Sequence, residues 1–244
     1  MIKAYAKSDI GRVREMNQDY FYISESLDEV QIYILADGMG GYNGGEIASK
    51  LATTYAKNYI ETNFNQTPKD KESLMKLVKS SMEYANMIVY EKSKETQELD
   101  GMGTTLEICL IYNNRVYIGH IGDSRIYRIR KDIIRKLTQD HSYVQKLVKD
   151  GKITKEEAEN HPKKNMLMKA LGCNAYVEPD VSVKGFQKDD IILMGSDGLT
   201  NLIKQEDLYR IVKEDIELAP RRLIEIANNN GGYDNITVVV IKNI

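Results

Sequence analysis

Only two cysteines occur among the 244 residues, Cys109 and Cys173. Two cannot build a disulfide framework, so the core must hold the fold, and a reducing, cytoplasmic setting is expected. There are four prolines, and no Gly/Ser tract, repeat or low-complexity run marks a linker, so one domain over 1–244 is expected. Lysine plus arginine total 34 against 36 acidic residues, a net charge of −2. That leaves no basic excess to draw the chain to nucleic acid or to an anionic membrane surface. No apolar run approaches the roughly 18 residues that span a bilayer. The opening residues, MIKAYAKSDIG, lack the apolar core of a secretion signal. What is present is 42% hydrophobic and 29% charged, the balance of a globular chain long enough to bury a sizeable core.

Periodicity sorts that chain into elements. Residues 31–36 (QIYILA), 104–112 (TTLEICLIY), 115–121 (RVYIGHI), 125–129 (RIYRI), 190–196 (DIILMGS) and 236–241 (ITVVVI) are apolar with a β-branched or aromatic bias and read as strands. Asn113 and Asn114 between two of them suit a tight hairpin, because Asn tolerates positive φ. From Ile47 to Ile60, apolar pairs recur every four residues, which makes a helix stripe. A second helix is expected over 71–94, with Leu74, Leu77, Val78, Met82 and Ala85 on one face. Residues 140–160 read as two polar helical pieces broken at Gly151, and further helices are expected over 206–213 and 220–228, with Pro220 tolerated in a first turn. Irregular alternation with neighbouring strands favours antiparallel pairing and an α+β, layered fold.

Aspartates recur where these strands leave the core. Residues 31–36 end in Asp37-Gly38, 190–196 in Asp197-Gly198 and 115–121 in Gly122-Asp123, while the last strand follows Asp234-Asn235. A single Asp-Gly is a hairpin signal. Here a loop and a helix, not a returning strand, are expected after Asp37-Gly38 and Asp197-Gly198. Carboxylates gathered at one sheet edge repel, and few basic residues lie beside them. A divalent cation resolves the repulsion, and oxygen-only ligands select Mg²⁺, Mn²⁺ or Ca²⁺ over Zn²⁺. Glycine beside each Asp lets the backbone approach an ion. Arg14, five residues before Asp19, offers the planar fork that clamps phosphate oxygens. An isolated arginine is more often a surface ion pair, and only the company of the aspartates lifts the phosphate reading.

Taken together, SDIGRVREMNQD (8–19), LADGMGG (35–41), GMGTT (101–105), HIGDSRIY (120–127), LTQDHS (137–142), HPKKNMLMKALG (161–172), LMGSDGL (193–199) and GGYDNIT (231–237) resemble, in order, the segments of the protein phosphatase 2C family of metal-dependent serine/threonine phosphatases. The likeness covers nearly the whole chain and is to the compact bacterial members, with nothing left over for a sensor domain. It implies a four-layer αββα sandwich of two antiparallel sheets with a dinuclear metal centre at one end, and a flap segment at about 140–172. It implies hydrolysis of phosphoserine and phosphothreonine in proteins by a metal-bridging water or hydroxide, without a phosphoenzyme. Two Mn²⁺ or Mg²⁺ ions, with room for a third, are implied. Asp37 would bridge two ions, the Gly38 carbonyl would join the second, and Asp197 and Asp234 would complete the first. Asp19 would act through bound water, Asp123 would help hold a third ion, and Arg14 would bind phosphate. Phosphorylated proteins and a cognate serine/threonine kinase are the implied partners, and the chain is expected to be monomeric.

Two positions depart from the family pattern. Met39 stands where many eukaryotic members carry a histidine proposed as general acid, and Gln18 replaces a frequent carboxylate. His161 is a candidate to approach substrate or give a proton, although a capping or surface histidine is the plainer reading of both His141 and His161. His120 alternates with Val116 and Ile118 and reads as a packed core residue. Asn235 and residues 101–105 are expected to support the site, Thr104 and Thr105 structurally. Cys109 lies inside an apolar strand and Cys173 lacks a C-x5-R loop, so neither is a nucleophile. G-x-G-x-x-G fails at Asn43, and no G-x-x-x-x-G-K-[ST] loop occurs. The rival readings are a phosphatase-like binding module, which would have broken ligands, and a phosphatase of small esters.

Overall fold

The structure is a computed structural model that describes residues 1–25, 30–39 and 44–244. In chain order its strands and helices are β1 (Ile2–Asp9), β2 (Asp19–Ile23), β3 (Gln31–Met39), α1 (Gly45–Phe64), α2 (Lys71–Ser93), β4 (Gly103–Thr104), β5 (Leu106–Tyr112), β6 (Arg115–Ile121), β7 (Arg125–Arg130) and β8 (Ile133–Lys136). There follow α3 (Tyr143–Lys149), α4 (Lys155–Glu159), β9 (Asp180–Gly185), β10 (Ile191–Gly195), α5 (Asp197–Thr200), α6 (Gln205–Glu214), α7 (Ala219–Asn229) and β11 (Ile236–Asn243).

The strands form two antiparallel sheets. One runs β1-β11-β10-β7-β8, and the other β2-β3-β5-β6-β9 with β4 paired to β3. Because side chains alternate along a strand, each sheet feeds two separate cores. Tyr33 and Leu35 of β3 meet Met194 of β10 and Val239 of β11 between the sheets. Ile32, Ile34 and Ala36 point the other way, onto the Ala48, Ala52, Ala56 and Ile60 stripe of α1 and onto α2. Leu193 and Val240 point outward onto Leu208, Ile211, Leu223 and Ile224 of α6 and α7. The order is therefore helices, sheet, sheet, helices, the α+β sandwich expected.

Local chemistry explains several boundaries. Asp70 caps α2 by accepting from the amides of Glu72 and Ser73. Thr154 and Glu157 form a capping box that starts α4 after the break at Gly151. Asn113 and Asn114 adopt φ of 47° and 55°, the left-handed pair of a tight hairpin. Two differences from the sequence reading matter. β3 does not stop before Asp37 but runs through Gly38 to Met39, because Asp19 of β2 and Gly103–Thr104 of β4 pair with that stretch. Strands β1, β2, β8 and β9 are absent from the sequence expectation, although β2 (DYFYI) carries a short aromatic run. All four are sheet edges, and in β1, β8 and β9 lysine, arginine or serine interrupts the apolar residues. Among the described residues, no helix is long and apolar enough to cross a membrane.

Candidate metal centre

The alternation that builds the inter-sheet core also carries acid to its end. Phe21 and Ile23 of β2 and Tyr33 and Leu35 of β3 face the other sheet. Asp19 and Asp37 continue those two rows and stand directly opposite one another in the ladder. From the facing sheet, Asp197 begins α5 just after β10, and Asp234 and Asn235 lead into β11. Asp123 follows β6 across the Gly122 turn, whose φ is 117°. Asp37, Asp123, Asp197 and Asp234 are half-buried, while Asp19 is buried beside them.

Their electrostatics show how close they are. Burial first, then the charges of Asp19, Asp197, Asp123 and Asp234, hold Asp37 well above the ordinary carboxylate range. Burial, with Asp197 and Asp234 adding to it, pushes Asp19 up to about 7. Burial and the Asp197 charge push Asp123 up to about 8. Burial and Asp234 push Asp197 up to about 6, with Arg125, a hydrogen bond from Asp37 and Arg14 offsetting part of the rise. Arg125, which the sequence reading passed over, thus tempers the cluster from β7 while it pairs with Asp140 at 3.0 Å. Its only sequence signal is its place two residues after Asp123.

These residues fit a hard divalent cation. The donors are all oxygens. Both carboxylate oxygens of Asp19 are buried and complete no hydrogen bond, although the Ser196 and Thr237 hydroxyls face them. Among the described residues, no three acidic, histidine or cysteine side chains close on one point. Asp234 is turned onto Arg14, whose Nη2 donates to Oδ2 at 2.7 Å. Gly38 is packed against the chain's own backbone: a Cβ there would run into the carbonyl oxygens of Gly45 and Gln18. Gly40 and Gly41 of the LADGMGG segment, and Asn43, lie outside the described residues.

The supporting residues are placed as follows. The Asn235 side chain is buried and makes three bonds to the loop that carries Arg14, accepting from Gln18 N and donating to the carbonyls of Ile10 and Met16. Those side-chain bonds go to the loop backbone and not to the aspartate carboxylates. Thr105 grips Asp37 twice, its N donating to Asp37 O at 2.9 Å and its Oγ1 accepting from Asp37 N at 3.0 Å. Thr104 Oγ1 donates to the same carbonyl. His161 accepts from the Lys163 amide and lies beside the Tyr143 ring, with no recorded contact to the aspartates among the described residues. His120 is buried, but not as packing alone: Nδ1 is 3.0 Å from Glu107 Oε1.

Comparison with known proteins places this geometry. Residues 11–221 match the model of the protein phosphatase 2C family. The serine/threonine phosphatase stp of Listeria innocua is 39% identical over 239 residues, covering 97% of this chain and 94% of its own. PhpP of Streptococcus pneumoniae, a protein phosphatase, is 38% identical over 96% of this chain and 95% of its own. The solved serine/threonine phosphatase of S. agalactiae superposes with a TM-score of 0.91 at 35% identity, covering 100% of both chains. The PstP catalytic domain solved with two manganese ions superposes with a TM-score of 0.86 at 33% identity, covering 99% of this chain and 97% of that one. The molecule is thus a phosphoprotein phosphatase by class. The chain belongs to the protein phosphatase 2C family and is a serine/threonine phosphatase of that type.

Proposed function

We propose that this enzyme is a metal-dependent hydrolase of phosphoserine and phosphothreonine in proteins, with its centre at the aspartate cluster. The observation that carries the reading is a set of inward-facing carboxylates whose mutual charge is only partly balanced by the chain, beside a half-exposed arginine paired with one of them, Asp234. Asp37 would hold two ions, Mn²⁺ or Mg²⁺, with the Gly38 carbonyl on one of them and Asp197 and Asp234 on the other. Asp19 would act through water, and Asp123 would help hold a third ion. Bound divalent ions supply a water acidic enough to serve as nucleophile near neutral pH and positive charge beside the phosphoryl oxygens.

The chain's own groups do the rest. Arg14 leaves Asp234 to grip two phosphoryl oxygens, and its fork fixes the phosphorus in line for attack. Thr104 and Thr105 keep the Asp37 backbone from shifting as charge redistributes. Met39 carries no titratable proton, so the leaving serine or threonine oxygen takes its proton from another group, for which a water at the centre is the proposed source. The 140–172 segment would act as a flap on one catalytic domain. The reading has the enzyme working in the cytoplasm as a monomer, opposite a serine/threonine kinase.

The test compares phosphoserine, phosphothreonine and phosphotyrosine peptides, with and without Mn²⁺. Hydrolysis of the first two that stops in excess chelator is expected. Full activity in chelator would sink the metal mechanism. Arg14→Ala should raise KM about tenfold, the loss of one charge-assisted contact.

A further inference from the structure

Beside the aspartates lies a second buried polar group that the chemistry above does not use. Glu107 of β5 and His120 of β6 are direct cross-strand partners on the inter-sheet face, at 0% and 2% exposure. Apolar residues of similar size could fill this layer at no loss of stability, since burying a carboxylate and an imidazole costs several kcal/mol before their attraction returns it. What the pair does have is direction. Glu107 Oε2 accepts from Thr105 Oγ1, which itself holds the Asp37 amide and lies 3.0 Å from Ser124 Oγ. His120 Nε2 donates to the Gln139 carbonyl at 2.9 Å, at the root of the 140–172 segment. His141 stacks on His120 with ring centroids 4.6 Å apart. Its Nδ1 accepts from the Gly122 amide at 3.1 Å, and its own amide donates to the Gly122 carbonyl at 2.7 Å. Its carbonyl accepts from Met168 N, and its Nε2 is 3.3 Å from Asp180. One continuous chain of contacts therefore joins the Asp37 strand, the turn before Asp123 and both arms of that segment.

We propose that Glu107, His120 and His141 are positioning residues that lock the root of the 140–172 segment to the Asp37 strand and to the Gly122–Asp123 turn. The proposal rests on the metal-phosphatase reading. It adds that the Asp123 end of the centre and the seat of the substrate-facing segment are set by the same hydrogen bonds. His141 is the hinge pin: its ring reaches both His120 and the Gly122 amide.

The experiment uses the full chain and three variants. His141→Leu should weaken Mn²⁺ binding by calorimetry about tenfold, the usual scale for a residue that orients a metal ligand. KM for a phosphothreonine peptide should rise similarly, while kcat at saturating Mn²⁺ stays within a few-fold. His141→Asn offers an oxygen to the Gly122 amide and should restore Mn²⁺ affinity. Glu107→Gln keeps the shape and should fall between. Amide exchange gives a readout independent of turnover: Gly122, His141 and Met168 should exchange as one unit in the wild type, slow together on adding Mn²⁺, and lose protection in His141→Leu. A folded His141→Leu with wild-type Mn²⁺ affinity and amide protection overturns the proposal, as does a His141→Asn no better than His141→Leu. If His141→Leu does not fold, unrelated exchange rates for the three amides in the wild type overturn it instead. A wild type with no Mn²⁺-dependent turnover defeats the phosphatase reading itself, whereas a wild type with such turnover and unaffected variants defeats only the positioning role.

Discussion

Strand β10 has an aspartate at each end, and the two live in opposite surroundings. Asp190, just before the strand, is 1% exposed. It is gripped by Arg130 at 2.8 and 2.6 Å and accepts from Gln187 N. Asp197, just after the strand, faces other carboxylates, and burial with the Asp234 charge drives its pKa up to about 6. Asp140 is half-buried, and there Arg125 and Lys136 outweigh burial and hold its carboxyl below the ordinary range. The fold is able to meet an acid withdrawn from solvent with its own cations, as it does at Asp190 and Asp140. At the Asp37 cluster Arg14 and Arg125 offset only part of the charge, which is what a site that waits for a cation from outside requires.

Substitutions sharpen that contrast. Asp37→Asn and Asp197→Asn should each lower kcat with Mn²⁺ by about a thousandfold, roughly 4 kcal/mol of barrier, while melting of the metal-free chain holds or rises because a repulsive charge has gone. Near-normal turnover in either would remove that residue from the ligand set. Next in size, Mn²⁺ at about one hundred times its Kd should stabilise the wild type by about 2.7 kcal/mol, a melting shift of about 5–10 °C; no shift in calorimetry would mean that the cluster does not take the ion. Asp190→Asn should do the reverse of Asp37→Asn, sparing kcat but costing about 2 kcal/mol, because Arg130 loses its partner at a half-exposed site.

The last effect is one of pH. Asp19, Asp37, Asp123 and Asp197 have folded pKa values above their unfolded ones. Between the two values the folded chain holds more protons, so its stability falls as pH rises from about 4 to about 8. His141, lowered to about 4 chiefly by burial and then by His120, works the other way below pH 6.5, against these four aspartates and against Glu107 and His120, which are also raised. In chelator the melting temperature should therefore drop from pH 5 to pH 8, and Mn²⁺ should abolish the drop. A metal-free chain equally stable at both would show that the carboxylates do not repel as placed.

Much of this was legible in the sequence because the signals are local. The buried strands 31–36, 190–196 and 236–241 carry unbroken apolar runs, the two long helices carry a four-residue stripe, and Asn113-Asn114 carries its turn. The four edge strands were not legible, since an edge has one unpaired side and admits the lysines and serines of β1 and β9 without protest. Nor was the strand conformation of Asp37: it depends on Thr104 and Asp19, which come to it from distant parts of the chain. The Glu107–His120 pair hid for the same reason. Residues 13 apart are unremarkable until a hairpin register sets them face to face.

The sequence alone determined which acids exist, where the apolar runs break to release them, and that the chain carries too few neighbouring cations to quiet them. Composition and order suffice for that, because strand ends and charge counts are properties of segments. Only the tertiary structure decided that Arg125 leans toward the cluster while Arg130 is spent at the opposite end of the sheet. It likewise decided that Asn235 serves the Arg14 loop, and that His120 is tied to an acid as well as packed. Those outcomes turn on register and on which face of which sheet a side chain meets, and a one-residue slip would send every one of them to the other side.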